Sequence, residues 1–430
     1  MARVYLLSLG CPKNLVDSEA LLKKLGDKGM TYSSSPADAE VLIVNTCGFI
    51  EEARRESIEE ILRLAGSKKG DRKKKVLVYG CLAQRSGAEL RKEIPEIDGL
   101  WGVGAEDEIV RYCEKVGSAP VIRKDAAGKN ERINDKPYAY LKIAEGCDRG
   151  CSYCVIPDIR GGFRSRRPEE ILGEAEALVR SGIKELVVIA QDITSFGKEL
   201  GDYDLAKLVR EIAGIRGDFW VRLLYLYPTS VNDRLIETIA NEEKVCKYID
   251  MPLQHSEEKI LRLMHRAGGR VFFEKLIRKI RGAVPGVNIR TTFIVGFPQE
   301  TDEDFEGLLS FVKRIKFERL GAFTYSKEAG TPAAGLKGQV RKQTKKQRYE
   351  RLMEMQAPIS LAKNRELVGK TLKALVDEVD EGVAIARLST QAPEIDGVVF
   401  IEDEGIGKGS FVNVKITDAY DYDLKGTAVK

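Results

Sequence analysis

Short apolar runs separated by amphipathic helical stretches recur from Val4 to Tyr325, and this alternation restricts the chain more than any other feature. Parallel strands need a crossover between them, usually a helix, so the pattern calls for a parallel sheet. In the first segment, Val4 to Leu9 precedes Ser18 to Leu25, Val41 to Val44 precedes Glu51 to Leu64, and Val76 to Tyr79 precedes Ala88 to Ile94. These units predict an α/β fold with a doubly wound parallel sheet. Six further apolar runs, Tyr140 to Ala144, Leu186 to Ala190, Val221 to Tyr227, Tyr248 to Met251, Ile289 to Val295 and Leu320 to Tyr325, predict an incomplete (β/α)6 barrel. From Thr371 the pattern changes to short β-rich runs, Leu372 to Val376, Val383 to Leu388, Gly397 to Ile401, Phe411 to Ile416 and Thr427 to Val429, which predict a small five-stranded antiparallel β-barrel.

A chain of 430 residues exceeds what one core usually organises, so more than one domain is expected. Arg123 to Pro137 is polar, contains Gly and Pro, and reads as a linker. Lys337 to Arg351 reads as a strongly basic helix leading through Pro358 toward the β-rich region. The expected domains are 1–124, 133–362 and 365–430. The apolar stretch Arg3 to Gly10 is short and no small-residue cleavage site follows it; with no membrane-length apolar run elsewhere, a soluble cytoplasmic protein without a membrane partner is expected.

Eight cysteines are too few for a disulfide scaffold at this length, and a reducing compartment would leave them free to ligate metal. In Glu145-Gly-Cys147-Asp-Arg-Gly-Cys151-Ser-Tyr-Cys154, three thiols lie in one loop directly after a predicted barrel strand. Three thiolates on a four-iron cubane leave one iron open for another ligand. Zinc is the alternative, but it would want four ligands, and the two histidines, His255 and His265, belong to another stretch.

Cys11, Cys47 and Cys81 each follow the carboxyl end of a predicted strand of the first sheet. Those ends share one edge, so three distant residues can converge on a second cluster. The alternative is three buried small hydrophobes. Cys113, in a predicted helix, and Cys246, before the strand at Tyr248, lack this placement and read as core.

The spacing of Cys147, Cys151 and Cys154, with Tyr153 before the last, resembles the motif of the radical S-adenosylmethionine (SAM) superfamily. Gly10-Cys-Pro-Lys-Asn-Leu-Val-Asp-Ser-Glu19, Asn45-Thr-Cys47, Tyr79-Gly-Cys81 and Glu145-Gly-Cys147 together resemble the methylthiotransferase family across nearly the whole chain, and the terminal barrel is similar to its TRAM domain. The resemblance implies two 4Fe-4S clusters, an auxiliary one on Cys11, Cys47 and Cys81 and a catalytic one on Cys147, Cys151 and Cys154. SAM would serve both as the source of a 5'-deoxyadenosyl radical and as the methyl donor. Tyr153, Gln191, Arg222, Thr292 and Ile294 are the expected SAM contacts, with a salt bridge as the alternative for Arg222 and a satisfied core amide for Gln191. Asp250 to His255 is expected to line the cavity or cap a strand.

One branch of that family modifies isopentenylated adenosine in transfer RNA, and the other an aspartate of ribosomal protein S-twelve. Cys11-Pro-Lys-Asn14, in place of Cys-Gln-Met-Asn, and Gln191-Asp192, in place of Gln-Asn, resemble the second branch. Residues 365–430 hold eight Lys/Arg against thirteen Asp/Glu, a net of −5, which would repel phosphates and suit a basic protein. Against this stand the basic runs at Lys68-Lys69, Arg72 to Lys75 and Lys337 to Arg351. The implied partners are S-twelve, free or in the small subunit, and a flavodoxin- or ferredoxin-like electron donor, with nucleic acid met only through the ribosome. An electron-transfer or cluster-carrier protein without turnover is the reading from another class.

Overall fold

The computed structural model describes residues 3–68, 74–116, 132–403 and 405–429. Most of the predicted linker and of the basic run at 68–75 therefore lie outside the described residues. The chain divides into two compact units, residues 1–135 with 155–162, and residues 136–154 with 163–430.

The first unit contains β1 (Arg3–Ser8), α1 (Pro12–Asp27), β2 (Thr31–Tyr32), β3 (Val41–Thr46), α2 (Glu51–Gly66), β4 (Lys75–Gly80), α3 (Cys81–Glu93), β5 (Gly99–Trp101) and α4 (Glu106–Val116). The strands form one sheet in the order β2-β1-β3-β4-β5 with every pairing parallel. Alternation within the strands separates two cores. Val41, Ile43, Leu77 and Tyr79 pack with Leu21, Leu25 and Ile109 on one face, whereas Leu42, Val44, Val76 and Val78 pack with Ile61, Leu64 and Leu90 on the other. β3, buried along its whole length, is the central strand.

Two helices start earlier than the apolar periodicity suggests. α1 begins at Pro12 with Cys11 as N-cap, because proline is preorganised for the first helical position. α3 begins at Cys81 and is kinked at Ser86, so the regular pattern becomes visible only from Ala88. Two cysteines thus stand at helix N-termini.

The second unit opens with β6 (Tyr138–Lys142) and β7 (Ala144–Glu145). After α5 (Ile156–Arg160), which belongs to the first unit, come β8 (Arg164–Ser165), α6 (Pro168–Arg180), β9 (Glu185–Ile189), α7 (Leu205–Gly214), β10 (Trp220–Leu223), α8 (Asp233–Asn241), β11 (Tyr248–Asp250), α9 (Glu258–Leu263), α10 (Arg270–Ala283), β12 (Asn288–Val295), α11 (Asp302–Ile315), β13 (Arg319–Thr324) and α12 (Lys342–Arg365). The six barrel strands appear where expected, all parallel, as two sheets ordered β6-β9-β10 and β11-β12-β13. Backbone bonds from Val221 N to Lys244 O and from Cys246 N to Val221 O join the two halves. β10 ends four residues early because Tyr225 adopts a left-handed φ of 67°, held by its N–H donating to Asp250 Oδ2.

β14 (Thr371–Asp380), β15 (Val383–Leu388), β16 (Val399–Glu402), β17 (Phe411–Ala419) and β18 (Leu424–Val429) close into a barrel. It is not wholly antiparallel: β16 and β18 pair in parallel. Arg387 of this barrel reaches Glu185, the first residue of β9, and Tyr248 donates to Asp396. Asp396 on Tyr248 and Asp377 on Arg387 commit part of the terminal barrel's negative charge inside the unit.

The basic helix starts at Lys342 and runs past Pro358 to Arg365, across the expected boundary at 362–365. A proline in mid-helix costs a backbone bond. Side-chain bonds on either side hold the helix: Gln356 donates to Phe317 O, Arg319 to Ser360 Oγ, and Asn364 to Tyr420 O. Its charges also have internal partners, Arg348 on Glu300 and Asp302, and Arg351 on Glu306. Among the described residues no helix is long and apolar enough to cross a membrane.

Candidate functional site

In the first unit, β1, β3 and β4 deliver their carboxyl ends to one edge. Cys11 caps α1, Cys47 follows β3, and Cys81 opens α3. A Cβ on Gly10 would lie 2.8 Å from Cys47 Sγ, and one on Gly48 would lie 2.8 Å from the Cys81 backbone, so glycine is what lets the three segments close on one another. The three thiols lie within electrostatic reach of each other. Cys11 is exposed while Cys47 and Cys81 are buried, leaving the trio one accessible side.

Asn14 and Asn45 hold this edge together. Asn14 Nδ2 donates to Leu9 O (2.8 Å) and Thr46 O (3.2 Å), tying the ends of β1 and β3. Asn45 Nδ2 donates to Asn14 O (2.8 Å) and Ser18 Oγ (2.9 Å). The Cys81 thiol faces Asn14 Oδ1 at 3.6 Å. Burial pushes Cys81 up to about 11 and also raises Cys47, while the Arg160 guanidinium pulls both down. Ionising these thiols therefore needs a further positive partner, which iron would supply. The helix N-termini at Cys11 and Cys81 also favour negative charge.

In the second unit, Cys147, Cys151 and Cys154 lie in the loop after β7, each half-buried. Gly146 (φ 77°) and Gly150 (φ 64°) supply left-handed turns that fold the loop back on itself. Its far end is pinned by Ser152, whose N–H donates to Met264 O (3.0 Å) and whose Oγ donates to Leu263 O (2.6 Å). Arg149 donates to Asp192, Ser195 and Ser230 and lies over the Tyr227 ring. Arg266 covers the same ring and approaches Cys151 Sγ at 3.7 Å. Among the described residues no three His, Cys, Asp or Glu side chains meet closely enough to hold one bare metal ion. A cubane instead binds each thiolate at a separate iron, so its ligands surround a group rather than meet.

The expected SAM contacts fall in two places. Tyr153 packs edge-on against Phe297 beside Cys151 and Cys154. Gln191 follows β9, donates to Glu145 Oε1 (2.7 Å), and leaves its own Oε1 buried without a partner. Thr292 and Ile294 lie on β12, where the backbone of Gln254 bridges them: Gln254 N donates to Thr292 O and Ile294 N to Gln254 O. Gln254 Oε1 is likewise buried and unpartnered. Two orphaned amide oxygens after β9 and β11 suit a ligand rich in N–H and O–H donors. Arg222 points elsewhere. It is fully buried, and its Nε donates to Glu185 Oε1 (2.5 Å) and its Nη1 to Ser389 O (2.8 Å), which is the salt-bridge alternative. His255 Nδ1 accepts from Glu257 N, and His255 is buried in the barrel beside Glu300. Cys113 and Cys246 are buried core residues, as expected.

Gln254 falls within the stretch Asp250 to His255 that the sequence placed at the cavity or a strand cap, whereas Asn14, Asn45, Arg160 and Arg266 escaped sequence reasoning as site residues. Asn14 and Asn45 lie within the quoted motifs, three residues after Cys11 and two before Cys47, where cysteine drew the attention. Nothing local marks Arg160 or Arg266.

Residues 3–102 match a family described as uncharacterized protein family UPF0004, residues 141–312 the radical SAM superfamily, and residues 368–429 the TRAM domain. The chain is 50% identical, over the full length of both, to a ribosomal protein uS12 methylthiotransferase RimO of Thermodesulfovibrio yellowstonii. It is 44% identical to the RimO of Geobacter sulfurreducens, covering 99% of this chain and 98% of that one. Among solved structures it is similar in fold to the radical SAM methyltransferase TsrM of Kitasatospora setae with cobalamin and a [4Fe-4S] cluster bound (TM-score 0.57, 15% identity, 90% of this chain and 81% of that one).

Proposed function

The chain belongs to the RimO family of radical SAM methylthiotransferases, and from that premise we propose that it inserts a methylthio group at the β-carbon of an aspartate in ribosomal protein uS12. The observation that carries this reading is the pairing of two cysteine trios in one chain, one at three strand ends of a parallel sheet and one in a barrel loop. One trio is suited to radical generation and the other to sulfur supply.

With clusters and SAM bound, the cofactors supply the one-electron chemistry that opens an unactivated C–H bond and the sulfur that replaces the hydrogen. The protein's task is to bind and orient them. Cys147, Cys151 and Cys154 would hold a cluster with one iron open to SAM, and Cys11, Cys47 and Cys81 an auxiliary cluster. Tyr153, Gln191, Thr292 and Ile294 would contact SAM, with Gln254 Oε1 and Gln191 Oε1 as acceptors for its donors. The modules 1–124, 133–362 and 365–430 would carry the auxiliary site, the radical site and substrate binding.

Substrate would be uS12, free or within the small subunit, and a flavodoxin- or ferredoxin-like protein would deliver electrons. The test is to incubate the reconstituted, reduced enzyme and SAM with uS12 and, separately, with isopentenyladenosine-containing transfer RNA, then weigh both products. A methylthio group gained on the uS12 aspartate is expected. A gain on the transfer RNA alone would move the chain to the other branch, and no 5'-deoxyadenosine in either reaction would favour an electron carrier.

A further inference from the structure

The wall of the auxiliary site contains a buried cation. Arg160 ends α5, with its side chain only 2% exposed. Its guanidinium donates to Asn14 Oδ1 (2.7 Å) and to Asp17 Oδ2 (3.0 Å). Asn14 Oδ1 is also the atom that the Cys81 thiol faces at 3.6 Å, so one amide oxygen joins the guanidinium to the thiol.

Arg160 Nη2 donates both to a carboxylate and to the amide oxygen that the Cys81 thiol faces. The apolar side of α5 has the same orientation: Ile159, and Val155 at its N-cap, pack with Cys81 and Val103. A five-residue helix is not stable alone, so this packing is what holds it.

The geometry points to Arg160 as a positioning residue that places its charge beside the Cys81 ligand and sets the reduction potential of a cluster held on Cys11, Cys47 and Cys81, an inference that rests on the two-cluster reading above. Cluster potentials respond to net charge, to hydrogen bonds on sulfur and to solvent exposure. A guanidinium in a dry wall contributes to the first, and Asp17 on its other side moderates the charge. A lysine would keep the charge and lose the planar fork.

The test uses the full chain carrying Cys147→Ala, in which the auxiliary cluster is the one expected to remain, titrated with dithionite while electron paramagnetic resonance follows reduction. Adding Arg160→Gln is expected to lower the equilibrium constant for reduction about tenfold, which is about 59 mV for one electron. Asp17→Asn is expected to raise it, and Arg160→Lys to fall between parent and Arg160→Gln. A purely structural role would not shift the potential in opposite directions at the two partners. Should Arg160→Gln not fold, Asp17→Asn still decides. Iron retained with potentials unmoved, or moved in the same direction by both changes, overturns the inference alone. A Cys147→Ala parent without any cluster overturns the two-cluster reading, and the inference with it.

Discussion

The two cysteine trios assemble three thiols each by opposite routes. Cys11, Cys47 and Cys81 come from three strand ends spread over seventy residues, whereas Cys147, Cys151 and Cys154 come from one loop of eight. The first trio exists only when the sheet is folded, with Asn14 and Asn45 tying its strand ends and two of its thiols buried. The second is set largely by sequence spacing and two left-handed glycines, and all its thiols are half-buried. A site built from tertiary structure is preorganised but sensitive to packing; a site built in a loop tolerates packing changes and depends on its anchors.

The largest effects separate the trios outright. Cys147→Ala should remove about half of the iron and abolish 5'-deoxyadenosine formation. Cys11→Ala should remove the other half, keep 5'-deoxyadenosine formation and lose the methylthio product. Iron, sulfide and nucleoside assays on the two variants check this. No iron loss from Cys11→Ala would break the comparison at its root.

Glycine substitutions probe the difference in packing. Gly80, just before Cys81, has φ 99°, and a Cβ there would stand 2.2 Å from Asn45 Oδ1. Gly80→Ala should cost on the order of 3 kcal/mol and lower the auxiliary iron. Gly150, between Cys147 and Cys151, has φ 64° and nothing within 4 Å of the added carbon. Gly150→Ala should cost only about 1 kcal/mol. Denaturant unfolding of both apoproteins measures the pair, and equal costs would mean the first trio is no more packed than the second.

The same contrast explains what could be read from the sequence. Strand-end cysteines were visible because each unit of a parallel sheet repeats one pattern and places its end on a shared edge. The loop trio was visible because its spacing is local. Arg160 was not, since Asn14 and Asp17 lie more than 140 residues away in sequence and no periodicity links them. Arg222 could be placed on its strand, but whether its side chain turned toward a ligand or toward Glu185 depended on Arg387 and Ser389 arriving from the terminal barrel. The parallel pairing of β16 with β18 and the passage of α12 through Pro358 are likewise decided by distant partners.

Acid should act on the barrel that anchors the loop trio. Burial, with help from the Arg348 and Lys259 charges, lowers His255 from 6.5 to about 3, so it stays neutral in the folded barrel. The unfolded chain binds that proton below pH 6.5, so the stability is fully present above that value and is lost as pH falls toward 3. By pH 5 the loss should reach about 2 kcal/mol. His255→Gln should flatten this slope in denaturant unfolding at pH 7 and pH 5. An unchanged slope would assign the acid limb to other groups.

The smallest expected effect compares the two arginines. Arg266 approaches Cys151 Sγ at 3.7 Å, donates to Pro252 O at 2.8 Å and lies over Tyr227. Its link to sulfur is longer than an ordinary hydrogen bond to oxygen, and the cysteines it serves are half-buried, so solvent screens its charge more than it screens that of Arg160. Arg266→Gln, measured without SAM in the Cys11→Ala protein, should therefore lower the reduction constant of the remaining cluster no more than about threefold, against about tenfold for Arg160→Gln. A shift as large as that at Arg160 would show that a loop-built site feels its neighbouring cation as strongly as a sheet-built one, and that burial of the thiols is not what separates the two.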